Sequence, residues 1–171
     1  HKLSRSLDDI TVNFEYNSQL GLSETFLNND NVEHIIRGFE VSENVSVISQ
    51  IQIVREKLIL LQKEIGKKGN VVMDGRDIGS KVFPNAKIKF FITAKLEVRA
   101  ERRYKEMISN GDEVLLNDVL DNINIRDGQD TNREMNPLVK SEDAIVLDNS
   151  DLSILQQDQF IFTIIESKLE E

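Results

Sequence analysis

The chain has 171 residues, 39% of them hydrophobic, with no cysteine and a formal net charge of −9. That length supports one substantial core with a small inserted lobe, and the lack of cysteine excludes disulfides and thiolate-bound metals. The acidic balance argues against a non-specific nucleic-acid surface, and no apolar run approaches the ~20 residues of a membrane span. With no signal peptide visible, the expectation is a cytoplasmic monomer without nucleic-acid or membrane partners.

In chain order, residues 8–27 alternate as strands do, with Ile10, Val12, Phe14 and Tyr16 on one parity. A polar loop at Asn17 to Ser23, a short strand at Glu24 to Leu27 and a turn at Asn28 to Asp30 complete a small β-meander. Asn31 to Arg37 reads as a short helix. Ser42 is placed to cap a long helix to about Lys67, along which Val45, Ile48, Ile51, Val54, Leu58 and Leu61 keep a helical period. Val71 to Met73 reads as a buried strand, and Lys87 to Ile92 as a second. Thr93 is placed to cap a helix through Asn110, which Gly111 stops; another helix follows from Asp112 to about Ile125. The polar stretch from Arg126 to Pro137 reads as a mobile flap. Ala144 to Leu147 is a third buried strand, and Ser150 opens an amphipathic helix to Leu169. Strands alternating with helices predict an α/β fold with a parallel sheet and helices on both faces.

Three constellations carry chemistry. Asp74-Gly75-Arg76-Asp77-Ile78-Gly79 follows the first core strand, at the sheet edge where open α/β sheets bind ligands. There the Arg76 fork matches phosphate geometry and Asp77 can accept from an amino group or hold the arginine; a surface ion pair in a turn would use the same residues. In the stretch from Arg126 to Arg133, a helical conformation puts Arg126, Asp130 and Arg133 on one face. Two cations around one carboxylate suit a phosphate and a sugar hydroxyl, although a solvated helix end shows the same pattern. Arg99, Arg102 and Arg103 have a spacing suited to charge on a transferring phosphoryl group, and partly also to pairing with Glu97, Glu101 and Glu106. The two histidines, His1 and His34, do not suggest a metal site.

The block DGRDIGSKVFPNAKIKFFITAKLEVRAERR, with RDGQDTNREMNPL and AIVLDNSDLSI after it, resembles the bacterial cytidylate kinases, which are nucleoside monophosphate kinases on a P-loop fold. The likeness runs from Glu33 to about Phe162, and GRDIG followed by VFP is its most specific part. It implies transfer of the γ-phosphoryl of ATP to CMP or dCMP, with ATP as co-substrate and Mg²⁺ as cofactor. It further implies that Ser46, Arg55 and Asp77 read the cytosine, that Arg76 and Arg133 hold the acceptor phosphate, and that Arg126 and Asp130 hold the pentose. Arg102 and Arg103 become candidates for neutralising the transferred group. The implied organisation is a monophosphate-binding insert and long helix over residues 1–67, core elements over 68–125, a lid over 126–137 and a final core strand and helix over 138–171.

The sequence departs from the pattern in one large respect. It contains no glycine-rich loop ending Gly-Lys-Ser/Thr; its only Gly-Lys step, Gly66-Lys67, ends a helix and is followed by Lys68. Such a loop cradles nucleotide phosphates and its hydroxyl ligates Mg²⁺. The Ser-Gly-x-x-Tyr-Arg segment of the family is also missing, and Gly128-Gln129 replaces more charged residues. The resemblance therefore implies a kinase without its N-terminal portion, inactive as these residues alone. Two rivals stand beside it: a kinase for another nucleoside monophosphate, and a non-catalytic nucleotide-binding module.

Overall fold

The computed structural model describes residues 6–67 and 69–170, leaving aside the side chains of Phe39, Ser42, Glu43 and Ser46. Two compact units divide the chain, residues 1–61 and residues 62–171.

The first unit opens with an antiparallel hairpin, β1 (Val12–Asn17) and β2 (Leu22–Leu27), in a register running from Val12↔Leu27 to Asn17↔Leu22. The Asn17 carboxamide oxygen accepts the amides of Gln19 at 3.0 Å and Leu20 at 3.2 Å, and Gly21 takes a φ of 69°. Those contacts close the loop in the way short polar side chains favour. Asn28 and Asn29, at φ 51° and 72°, turn the chain into β3 (Asp30–Asn31), as the meander predicts. Phe14 and Tyr16 are exposed, however, so the alternating face is not a core face within this unit.

The stretch expected to be a helix at Asn31 to Arg37 is a series of turns. Its side chains take the groups a helix would use: Asn31 Oδ1 accepts the Glu33 amide at 3.0 Å, and Glu33 Oε2 accepts the amide of Thr25 at 3.0 Å. The single long helix is likewise corrected to two, α1 (Phe39–Ile48) and α2 (Gln52–Gly66). Ser42 lies inside α1, which starts after Gly38. At the break the amides of Gln50 and Ile51 bond three residues back, to Val47 and Ile48, and Arg55 Nη1 donates to the Ser49 carbonyl at 2.9 Å. A guanidinium on that carbonyl satisfies it without a further helical turn. Only Val54 of the predicted apolar stripe is buried; Val45, Ile48 and Leu58 are exposed.

In the second unit Val71 to Met73 form no strand, and Val72 is fully exposed. A β-branched run becomes a strand only where a ladder partner meets it, and none does among the described residues. Gly75, at φ 154°, turns the chain where a Cβ would stand 2.8 Å from Ile78 Cγ1. A π-helical turn follows (Ile78–Val82), closed by Phe83 N donating to Ile78 O at 2.7 Å, with Ile78 and Val82 buried beneath it.

The sheet is a parallel pair, β4 (Phe90–Thr93) with β5 (Ile145–Asp148), in the register Phe90↔Ile145 to Thr93↔Asp148. Parallel neighbours need a crossover, supplied by α3 (Leu96–Ser109) and α4 (Leu116–Asn132), which pack on each other. Ala100 and Met107 of α3, Val119 of α4 and Leu147 of β5 are buried in this unit. Thr93 ends β4 and caps nothing; the residue before α3 is Lys95, whose amide donates to Ser150 Oγ at 2.8 Å. The helix predicted over Asp112 to Ile125 starts later and runs on through Asn132, absorbing the first half of the expected flap. Val119 is buried along it and Leu120 half-buried, and Asp130 is held near its end by arginines. The last helix, α5 (Ile154–Glu170), starts four residues past Ser150. The fold is mixed α/β with a parallel sheet, as predicted. No helix among the described residues is long and apolar enough to cross a membrane.

Candidate functional site

The turn after Asp74-Gly75 delivers Arg76 and Asp77 to the C-terminal end of α4. There Arg76 Nε forms an ion pair with Asp130, and Arg76 Nη2 lies 3.7 Å from Asp127 Oδ1. Arg133, the residue that closes α4, donates from Nη1 to Asp130 Oδ1 at 3.0 Å and from Nε to the Asn136 carbonyl at 2.6 Å. Its Nη2 stands 3.9 Å from Asp77 Oδ2. Arg126, one helical turn before Asp130, faces it with Nε at 3.9 Å, and that nitrogen is buried without a hydrogen bond. The one-face arrangement predicted for Arg126, Asp130 and Arg133 is present because the helix extends through them.

Asp130 is the hub. Its side chain is 6% exposed and meets three guanidinium groups. A buried carboxylate is tolerable only when its lone pairs meet charge, and here the neighbouring arginines supply it. Including Arg99, which reaches Asp127 at 2.5 Å, four guanidinium groups face three carboxylates, Asp77, Asp127 and Asp130. Among these described groups the cations outnumber the carboxylates by one. Burial first, and the neighbouring Arg76 second, lower the basicity of Arg126 below the ordinary arginine value; Asp130 and Asp127 oppose the fall and Arg103 adds to it. Cations crowded enough to weaken one another gain most from an incoming anion.

Not every predicted residue enters this cluster. Arg102 grips Asn149, donating from Nη1 to Oδ1 at 2.9 Å and from Nη2 to the carbonyl at 2.7 Å. Arg103 pairs with Glu106 at 2.9 Å and acts on Arg126. Ser46 lies in α1, and Arg55 is buried in α2 with its guanidinium on Ser49; both belong to the first unit. Asp127 was singled out by no sequence reading, and Arg99, grouped in the sequence with Arg102 and Arg103, is the member of that trio that joins the cluster through Asp127. The adjacency of Asp127 to Arg126 was the available signal for the first; Arg99 stood in plain view but within a run that equally suited pairing along its own helix.

The described residues contain no group of three or more histidine, cysteine or carboxylate side chains able to hold a metal ion. Asp77, Asp127 and Asp130 each face arginine, a donor set that does not fit Mg²⁺.

A parallel β-pair crossed by helices, beside arginines braced by aspartates, defines an α/β protein with a concentrated cationic cluster. The cytidylate kinase family matches residues 2–167, and the chain belongs to that family. It is 45% identical over 160 residues to a cytidylate kinase of Bacteroides fragilis, covering 94% of this chain and 70% of that protein. With the cytidylate kinase of Flavobacterium psychrophilum the identity is 46% over 166 residues, 97% of this chain and 74% of the relative. With that of Flavobacterium johnsoniae it is 48% over 158 residues, 92% and 68% respectively.

Proposed function

We propose that the protein transfers the γ-phosphoryl group of ATP to CMP or dCMP, and that the arginine cluster around Asp130 receives the acceptor nucleotide. The observation that carries this reading is the excess of guanidinium over carboxylate among the described groups where the turn after Gly75 meets the end of α4, in a cytidylate kinase family member. Catalysis in this class is positioning and charge neutralisation, with little covalent chemistry left to the protein.

Arg76 and Arg133 hold the acceptor phosphate. Asp130 and Arg126 hold the pentose, the Asp130 carboxylate accepting from a sugar hydroxyl. Asp77, acceptor-only when ionised, takes the exocyclic amino group of cytosine, with Ser46 and Arg55 as its proposed companions in base reading. Arg102, held by Asn149, and Arg103, paired with Glu106, are the two proposed candidates for neutralising the transferred group. ATP is the proposed co-substrate, and Mg²⁺ would neutralise phosphate charge through ligands other than the three aspartates. The protein is proposed to act as a cytoplasmic monomer.

Calorimetric titration of CMP into Arg76→Ala tests the assignment. Loss of one charge-assisted contact is expected to cost about 1.5–3 kcal/mol of affinity. An unchanged dissociation constant removes Arg76 from the site.

A further inference from the structure

Asp127 stands between two arginines. Its Oδ2 accepts from Arg99 Nη1 at 2.5 Å, while its Oδ1 lies 3.7 Å from Arg76 Nη2. Arg99 is itself fixed, for its Nε donates to the carbonyl of buried Ala94 at 2.9 Å. Arg76 uses Nε for Asp130, and Asp127 faces its Nη2, a nitrogen through which a guanidinium can also take a phosphate. Carboxylate and phosphate are alternative bidentate partners for a guanidinium. Released from Arg99, the Asp127 carboxylate would need to move by less than one ångström to reach hydrogen-bond distance (~2.8 Å) from Arg76.

We propose that Arg99 is a positioning residue that sequesters Asp127, keeping that carboxylate from competing with the acceptor phosphate for Arg76. The proposal rests on the reading that Arg76 contacts this phosphate. It assigns Arg99 no contact with substrate; the residue acts through its neighbour's charge.

The test is calorimetry on the full-length protein with CMP and, as a phosphate-free probe, cytidine. Arg99→Ala is expected to weaken CMP roughly five- to tenfold, the scale of one charge-assisted contact in a half-exposed site. Cytidine affinity should stay within about twofold, and adding Asp127→Asn to Arg99→Ala should restore CMP affinity to within about twofold of the parent, since the competitor is then gone. If CMP and cytidine weaken together, Arg99 merely supports the fold and the proposal fails. It fails also if the double variant binds CMP no better than Arg99→Ala. A CMP loss in Arg76→Ala with none in Arg99→Ala overturns this proposal alone, whereas unchanged CMP binding in Arg76→Ala removes the phosphate reading beneath it as well.

Discussion

Replacing Asp130 by asparagine keeps the side-chain shape and removes the one carboxylate that three guanidinium groups share. Arg133, 8% exposed, loses the charge of its 3.0 Å partner and keeps Asp77 at 3.9 Å. Removing one member of a buried ion pair costs about 3–5 kcal/mol. Arg76 and Arg126, with side chains 34% and 33% exposed, recover part of their hydration. That relief brings the expected loss to about 2–4 kcal/mol. For a chain of this size each kcal/mol moves Tm by roughly 2–4 °C, so a fall of about 4–16 °C is expected by calorimetry. The variant cluster also carries one more net positive charge, so added sulfate should recover more Tm in Asp130→Asn than in the parent. A variant melting within about 2 °C of the parent would show that the hub does not hold these arginines in place.

Two further outcomes follow from the same geometry. Asp77→Asn should narrow the preference for CMP over UMP in kcat/KM, mainly by weakening CMP, because the carboxylate faces an amino group in one base and a carbonyl oxygen in the other. That mismatch is worth on the order of 1–3 kcal/mol, and a ratio within about twofold of the parent would reduce Asp77 to a partner of Arg133. In the hairpin unit, hydrogen bonds from Arg37 first and Thr25 next hold Glu33 below the ordinary carboxylate value of 4.5, while Asn17 and then Asn31 do the same for Glu24. Depressed carboxylates stabilise the fold fully above that ordinary value, and the contribution is lost as pH falls through their lower folded values. The exchange protection factor of the Thr25 amide should therefore drop below pH 4.5. Protection unchanged across that range would mean that Glu33 does not anchor the turn.

The sequence made most of this charged cluster legible and rather less of the fold. Arg126, Asp130 and Arg133 were visible because short-range spacing is enough to place charges on one helix face, and Arg76 and Asp77 because they sit together in a glycine-bounded turn. The misread elements are those decided by contacts that a helical or strand period does not encode. Val71 to Met73 has the composition of a buried strand but lacks a ladder, and the break between α1 and α2 is stabilised by Arg55 reaching a carbonyl six residues earlier. Asn31 to Arg37 has helical composition, yet Glu33 spends its carboxylate on Thr25 across the meander. The polarity of the stretch from Arg126 suggested exposure, whereas Asp127 and Asp130 are taken up by arginines inside and outside it and Asp130 is buried. Periodicity reports which residues can share a face; it does not report what meets that face.

Helix α3 reaches in two directions from neighbouring turns. Arg99 holds Asp127 on α4, Arg102 holds Asn149 just past β5, and fully buried Ala100 sits between them. Each residue added to or removed from a helix rotates everything beyond it by about 100°. Exposed Glu101 can change identity at little cost, but a change of even one residue in the number separating the two arginines would swing one of them away from its partner. This part of the chain is a ruler: tolerant of spelling, intolerant of length.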